Sequence, residues 1–148
     1  MREILFRGKR TDNGAWVEGA FCLKDSDDPF GDMVDRPSII KYDPPWDGFW
    51  FRVDPETVGQ FTGLTDENGA KIFEGDIVRY SEMLLAGEEY EHKDPVLYLE
   101  GGFTVGVYFL NHWLRDIADG NVQLEGIEVI GNIHDIPELL KGNEKWLT

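Results

Sequence analysis

QFTGLTDENGAKIFEGDIV, residues 60–78, is the stretch whose reading decides the fold. Strand formers and turn formers alternate along it: Phe61-Thr62, Ile72-Phe73 and Ile77-Val78 are separated by Gly63, by Asn68-Gly69 and by Gly75-Asp76. Asn68-Gly69 can supply the positive φ angles of a tight turn. Gly75-Asp76 marks a second reversal, placed just before a β-branched pair opens a new strand. Gly63, Asn68, Gly69, Gly75 and Asp76 therefore read as a structural turn motif, and no part of that description needs a substrate.

The flanking sequence extends the same pattern. Ile4 to Arg10 and Ala15 to Leu23 read as two strands around Thr11-Asp12-Asn13-Gly14, whose Asn-Gly pair is a strong hairpin signal. Lys24 to Pro37 has five aspartates interleaved with Pro29 and Gly31 and no apolar period, so it is expected to be an exposed acidic loop. Ser38 to Tyr42 and Phe49 to Val53 resume strand composition on either side of a connector containing Pro44 and Pro45, which cannot donate ladder hydrogen bonds. Asp54-Pro55-Glu56 is read as a turn and Thr57 to Phe61 as a short strand. A strand from Asp76 is expected to reach Tyr80. From Ser81 to His92 the residues Met83 to Ala86 favour helix, with Ser81 as a cap. Val96 to Leu99 and Phe103 to Phe109 form a second hairpin around Gly101-Gly102, with Gly106 at a bulge or close backbone approach. Asn111 to Ala118 reads as helical turns, Val122 to Leu124 and Ile127 to Ile133 as strands, and Asp135 as the cap of a last turn containing Pro137.

Short strands with little helix predict a mainly β fold, with antiparallel strands forming a small bent sheet or an SH3-like barrel and one or two short helices. At 148 residues, with 41% hydrophobic residues that include five Trp, five Tyr and nine Phe, one domain over residues 1–148 is expected to bury its own core. The single cysteine, Cys22, excludes an internal disulfide and is read as a small buried side chain. The start of the chain is interrupted by charge too soon for a secretion signal. With no apolar run near the ~20 residues of a membrane helix, the expectation is a cytoplasmic protein that does not enter membranes.

Fourteen Lys and Arg against 29 Asp and Glu give a formal net charge of −15. Residues 1–24 nevertheless carry five bases and three acids. Direct nucleic-acid binding is disfavoured, because neutralising phosphates needs a basic surface.

Three segments in order resemble the YopX family of small phage and prophage proteins: the opening Met1 to Arg7, the central Gln60 to Val78, and the closing Glu128 to Leu140. The resemblance spans nearly the whole chain, with residues 24–56 and 81–95 unmatched. It implies a protein of uncharacterised activity, encoded on a phage or integrated element and prone to self-associate. It transfers no catalytic residue.

An EF-hand needs oxygen ligands at loop positions 1, 3 and 5, glycine at 6 and glutamate at 12. From Asp25 position 5 is Pro29, and from Asp66 position 12 is Ile77, so neither fits. His92, His112 and His134 form no metal-ligand spacing, and no phosphate loop occurs. Asp76 is expected to bind nearby backbone amides and Glu74 to face solvent. No catalytic residue, metal or cofactor is therefore assigned. Tyr42, Trp46, Phe49, Trp50 and Phe51 are clustered; Phe49, Phe51 and Val53 share a strand face, while Trp46, Trp50 and Tyr42 are candidates for a partner or subunit contact. The expectation is a non-enzymatic accessory protein that binds a host or phage protein, or itself as a homo-oligomer. The alternatives are an acidic mimic of nucleic acid and a small enzyme using Cys22, His112 or Asp76.

Overall fold

The structure, a computed structural model, describes residues 3–24, 36–41, 49–83, 87–106, 108–109 and 124–140. The expected helical turns at Asn111 to Ala118, most of the acidic loop, and Tyr42 and Trp46 lie outside these residues. The fold is mainly β, and the described residues form antiparallel strands in two sheets and two short 3-10 turns. The chain divides into two compact units, Met1–Phe61 and Thr62–Thr148.

In the first unit β1 (Phe6–Lys9), β2 (Trp16–Lys24), β3 (Arg36–Lys41), β4 (Phe49–Arg52) and the start of β5 (Gly59–Thr65) lie in the order β4-β3-β2-β1-β5. The expected first hairpin is present, with Lys9 opposite Trp16. Of its Asn-Gly pair only Gly14 takes positive φ (71°), while Asn13 accepts the Ala15 N–H through its side chain. The short strands then curl until the sheet meets itself. Arg10 bridges to Val53, just past β4, and the junction is held by Thr11 N–H to Arg52 O (3.0 Å) and Asp54 N–H to Lys9 O (2.9 Å).

That closure has a sequence cause. Alternation puts Val17, Ile39 and Val53 inside, with Phe6, Phe51 and Val58 packed against them. Each fully buried chain of this kind contributes on the order of 1.5–3 kcal/mol. Gly19 is required where β2 passes β3, because a Cβ there would overlap the Ile40 carbonyl oxygen.

The second unit holds the end of β5, then β6 (Lys71–Phe73), β7 (Asp76–Met83), β8 (Glu89–Leu99), β9 (Gly102–Val105), β10 (Tyr108–Phe109) and β11 (Leu124–Asn132). Its sheet runs β10-β9-β8-β7-β11. Ile72, Val78, Tyr80, Val96 and Val105 form its core, with Leu64, Phe103, Ile127 and Val129 against them.

Several expectations are corrected here. Ser81 caps no helix: β7 continues through it to Met83, paired with Glu91 on one side and Glu125 on the other, while Leu84 to Ala86 lie outside the described residues. Strand β8 begins at Glu89 and includes the buried Pro95 opposite Ile77. The strand read from Phe103 to Phe109, with Gly106 at a bulge or close backbone approach, turns at Gly106, so that Tyr108 pairs with Val105 across a hairpin. Pro55–Thr57 is a 3-10 turn capped by Asp54, and β5 starts only at Gly59.

Candidate functional site

The signature stretch folds as a set of backbone latches. At Gly63, φ is +89° within β5, and the Thr62 hydroxyl steadies the kink by donating to Ile72 O (2.8 Å) and accepting from Leu64 N–H (3.2 Å). Gly69 has φ +82° as expected, but Asn68 does not adopt positive φ. Asp66 shapes that turn instead. Its Oδ1 accepts from the amides of Asn68 (2.9 Å) and Ala70 (2.8 Å), and its Oδ2 reaches β11 to accept from Val129 N–H (2.9 Å). Burial opposes the charge on Asp66, yet the three amides outweigh it and hold its carboxyl below the ordinary carboxylate range.

The second reversal is built alike. Asp76, 1% exposed, accepts from Phe73 N–H at 2.7 Å. Gly75, at φ +90°, donates to Val96 O and accepts from Ile133 N–H. Glu74, expected in solvent, is half-buried. Farther along, Asn132 Oδ1 accepts from the amides of His134 and Asp135 and organises the turn that precedes the 3-10 turn Pro137–Leu140. The Asp135 carboxylate accepts from Asn132 Nδ2 (3.0 Å).

The first unit carries a different kind of feature. A groove of about 500 Å³ is lined by Lys9, Arg10, Thr11, Gly14, Asp54 and Pro55, where the first hairpin loop meets the Asp54 turn. The Arg7 guanidinium lies 4.7 Å, and the Lys9 ammonium 5.8 Å, from the centre of the Trp16 ring. Arg10 sits 4.4 Å over Phe51 and donates through Nε and Nη2 to both oxygens of Asp12. The hydrogen bond from Arg10 holds the Asp12 carboxyl below its ordinary range. In the sequence this region shows only as an excess of base over residues 1–24. The signal lay in the charge count, since Arg7, Lys9 and Arg10 concentrate base in the first strand of an acidic chain.

Of the aromatic contact candidates only Trp50 is among the described residues. It is 44% exposed on β4, opposite Ile40. On the other strand face, Phe51 packs on the core and Val53 is buried, whereas Phe49 is 57% exposed. Cys22 is half-buried opposite Ser38.

Residues 5–141 match the family described as YopX protein. The chain belongs to the YopX family. This places the latches of residues 60–78 and of β11 within one matched span. The YopX chain is also similar to the crystal structure of protein EF1440 from Enterococcus faecalis, with 27% sequence identity over 95% of this chain and 99% of that one and a TM-score of 0.52. No curated protein matches it. Among the described residues of this YopX protein, no helix is long and apolar enough to cross a membrane.

Proposed function

We propose that this protein is a cytoplasmic accessory protein of a phage or integrated element that acts by binding another protein and by self-association, without catalysing a reaction. The observation that carries the reading is the fate of the signature carboxylates. Asp76, the acid of this stretch that the enzyme alternative would use, and Asp66 before it both hold backbone amides. A general acid or base needs its carboxyl within reach of a substrate proton, a demand at odds with three amide bonds on one side chain. The resemblance to phage and prophage proteins supports the setting.

The test is capture of partners by the tagged full chain from its host, with mass in solution measured by light scattering. A reproducible partner together with a mass above one chain is the expected result. A monomer that captures nothing but turns over a metabolite would overturn the proposal.

A further inference from the structure

We infer that Asp66 and Glu67 guard the outer edge of β11, and that releasing this guard turns the edge into a surface on which a second copy of the chain pairs, β11 against β11. The inference does not rest on the partner-binding reading above.

Among the described residues β11 is the last strand of its sheet, paired with β7 on one side. A strand so placed offers its outward N–H and C=O groups to any other strand, and the run Ile127-Glu128-Val129-Ile130 has the β-branched composition that pairs well. Here those groups are occupied from the signature stretch. Val129 is in register with Val78 of β7, yet its N–H donates to Asp66 Oδ2 (2.9 Å). The Ile127 carbonyl accepts from Glu67 N–H (3.0 Å), and just past the strand Ile133 N–H donates to Gly75 O (2.9 Å). The edge is also bent. Gly126, at φ +71°, lies where the register against β7 shifts, and a Cβ there would stand 2.9 Å from Glu67 Oε2, so the Glu67 side chain closes over the bulge. Asp66 is the keystone of the guard, because the same carboxylate that takes the Val129 amide shapes the turn that carries Glu67.

Register selects the occupant. Without Asp66 the Val129 N–H loses a charged acceptor and needs another. In an antiparallel pair of β11 strands related by a two-fold axis at Val129, each Val129 N–H meets the Val129 carbonyl of the other copy. Ile127 then faces Gly131 and Glu128 faces Ile130, so no carboxylate stands opposite another across these residues, although the chain is acidic as a whole. The edge is thus self-complementary, and what prevents its use is the turn lying along it.

The test is sedimentation of the full-length wild type and Asp66→Ala over a range of concentrations, with amide hydrogen exchange measured on each species. The reference is the mass of wild type, so the self-association proposed above leaves the comparison unaffected. The expected result is a doubling of that mass in Asp66→Ala at concentrations where wild type does not change, with exchange at residues 127–131 fast in the unassociated variant and slow in the associated one. Ile130→Glu, added to Asp66→Ala, sets like charges opposite each other twice in the pair, whereas Ile130→Lys sets a base opposite Glu128 twice. The two should differ by about tenfold in association constant, with the Ile130→Lys version the tighter. If Asp66→Ala unfolds, Asp66→Asn carries the same comparison. Wild-type mass in a folded Asp66 variant, equal association of the two Ile130 versions, slowed exchange outside β11, or association that begins only as native structure is lost in both Asp66 variants would each overturn the inference.

Discussion

Asp66 and Val129, 63 positions apart, are joined by a 2.9 Å hydrogen bond from the Val129 amide to Asp66 Oδ2. The other oxygen of the same carboxylate holds the amides of Asn68 and Ala70, so one side chain both shapes a turn and fastens it to β11. Replacing Asp66 by Asn puts an NH₂ group against at least one of these N–H donors. Removing a charged acceptor from a buried donor costs roughly 1–3 kcal/mol. Asp66→Asn is therefore expected to lose about 2 kcal/mol of stability, with faster hydrogen exchange at Val129 as the local signature.

The same carboxylate sets an acid limit. Its folded-state value lies below that of the unfolded chain, so its contribution is fully present above the ordinary carboxylate range near pH ~4 and is lost as pH falls through the depressed value. The stability gap between wild type and Asp66→Asn should accordingly be constant from neutral pH down to about 5 and shrink on further acidification. Thermal unfolding of both proteins across that range measures it.

Glu100 sits at φ +52° in the two-residue loop closing β8 and β9, where Leu99 faces Gly102 and Gly101 has φ +82°. Positive φ at both loop residues is the geometry Asn-Gly adopts most readily. Glu100→Asn should raise stability by about 0.5–1 kcal/mol, because the short amide side chain of Asn can hydrogen-bond the local backbone and offset the Cβ penalty of the left-handed conformation. Chemical denaturation with an unchanged slope would establish the gain.

At Gly106 the constraint comes from a buried pair. The Tyr80 hydroxyl donates to Asp94 Oδ2 at 2.6 Å, and a Cβ at position 106 would stand 2.9 Å from that hydroxyl and 3.1 Å from that oxygen. Gly106 also has φ +61°. Gly106→Ala should destabilise by roughly 1–3 kcal/mol. Combining it with Tyr80→Phe should be less than additive, since removing the hydroxyl relieves part of the overlap.

The β class and the turn positions were legible because they depend on local chemistry. Gly69, Gly75 and Asp76 meet backbone demands that lie within a few residues of each, and the Asn13-Gly14 hairpin signal is equally local. What was not legible depends on distant pairing. Nothing beside Ser81 tells of Glu91 and Glu125, which carry strand β7 through that position. The Arg10 to Val53 closure depends on a bridge 43 positions long, and the groove exists only once that closure has formed. Asp66 stands outside the turn residues read from the sequence, and one of its three amides comes from β11, which no local pattern announces. Asn68 was given the left-handed conformation because Asn tolerates it, whereas the Asp66 side chain organises the turn without it.

The Asp66 and Asp76 carboxylates hold backbone amides of the strands and turns around them. Equilibrium unfolding of Asp66→Asn and Asp76→Asn, measured beside partner capture by the same variants, tests that role most directly. A stability loss of about 2 kcal/mol or more in each, with capture retained by the molecules still folded, is the result the account requires. Wild-type stability in both variants together with lost capture would contradict it, because the two carboxylates would then be serving a binding site.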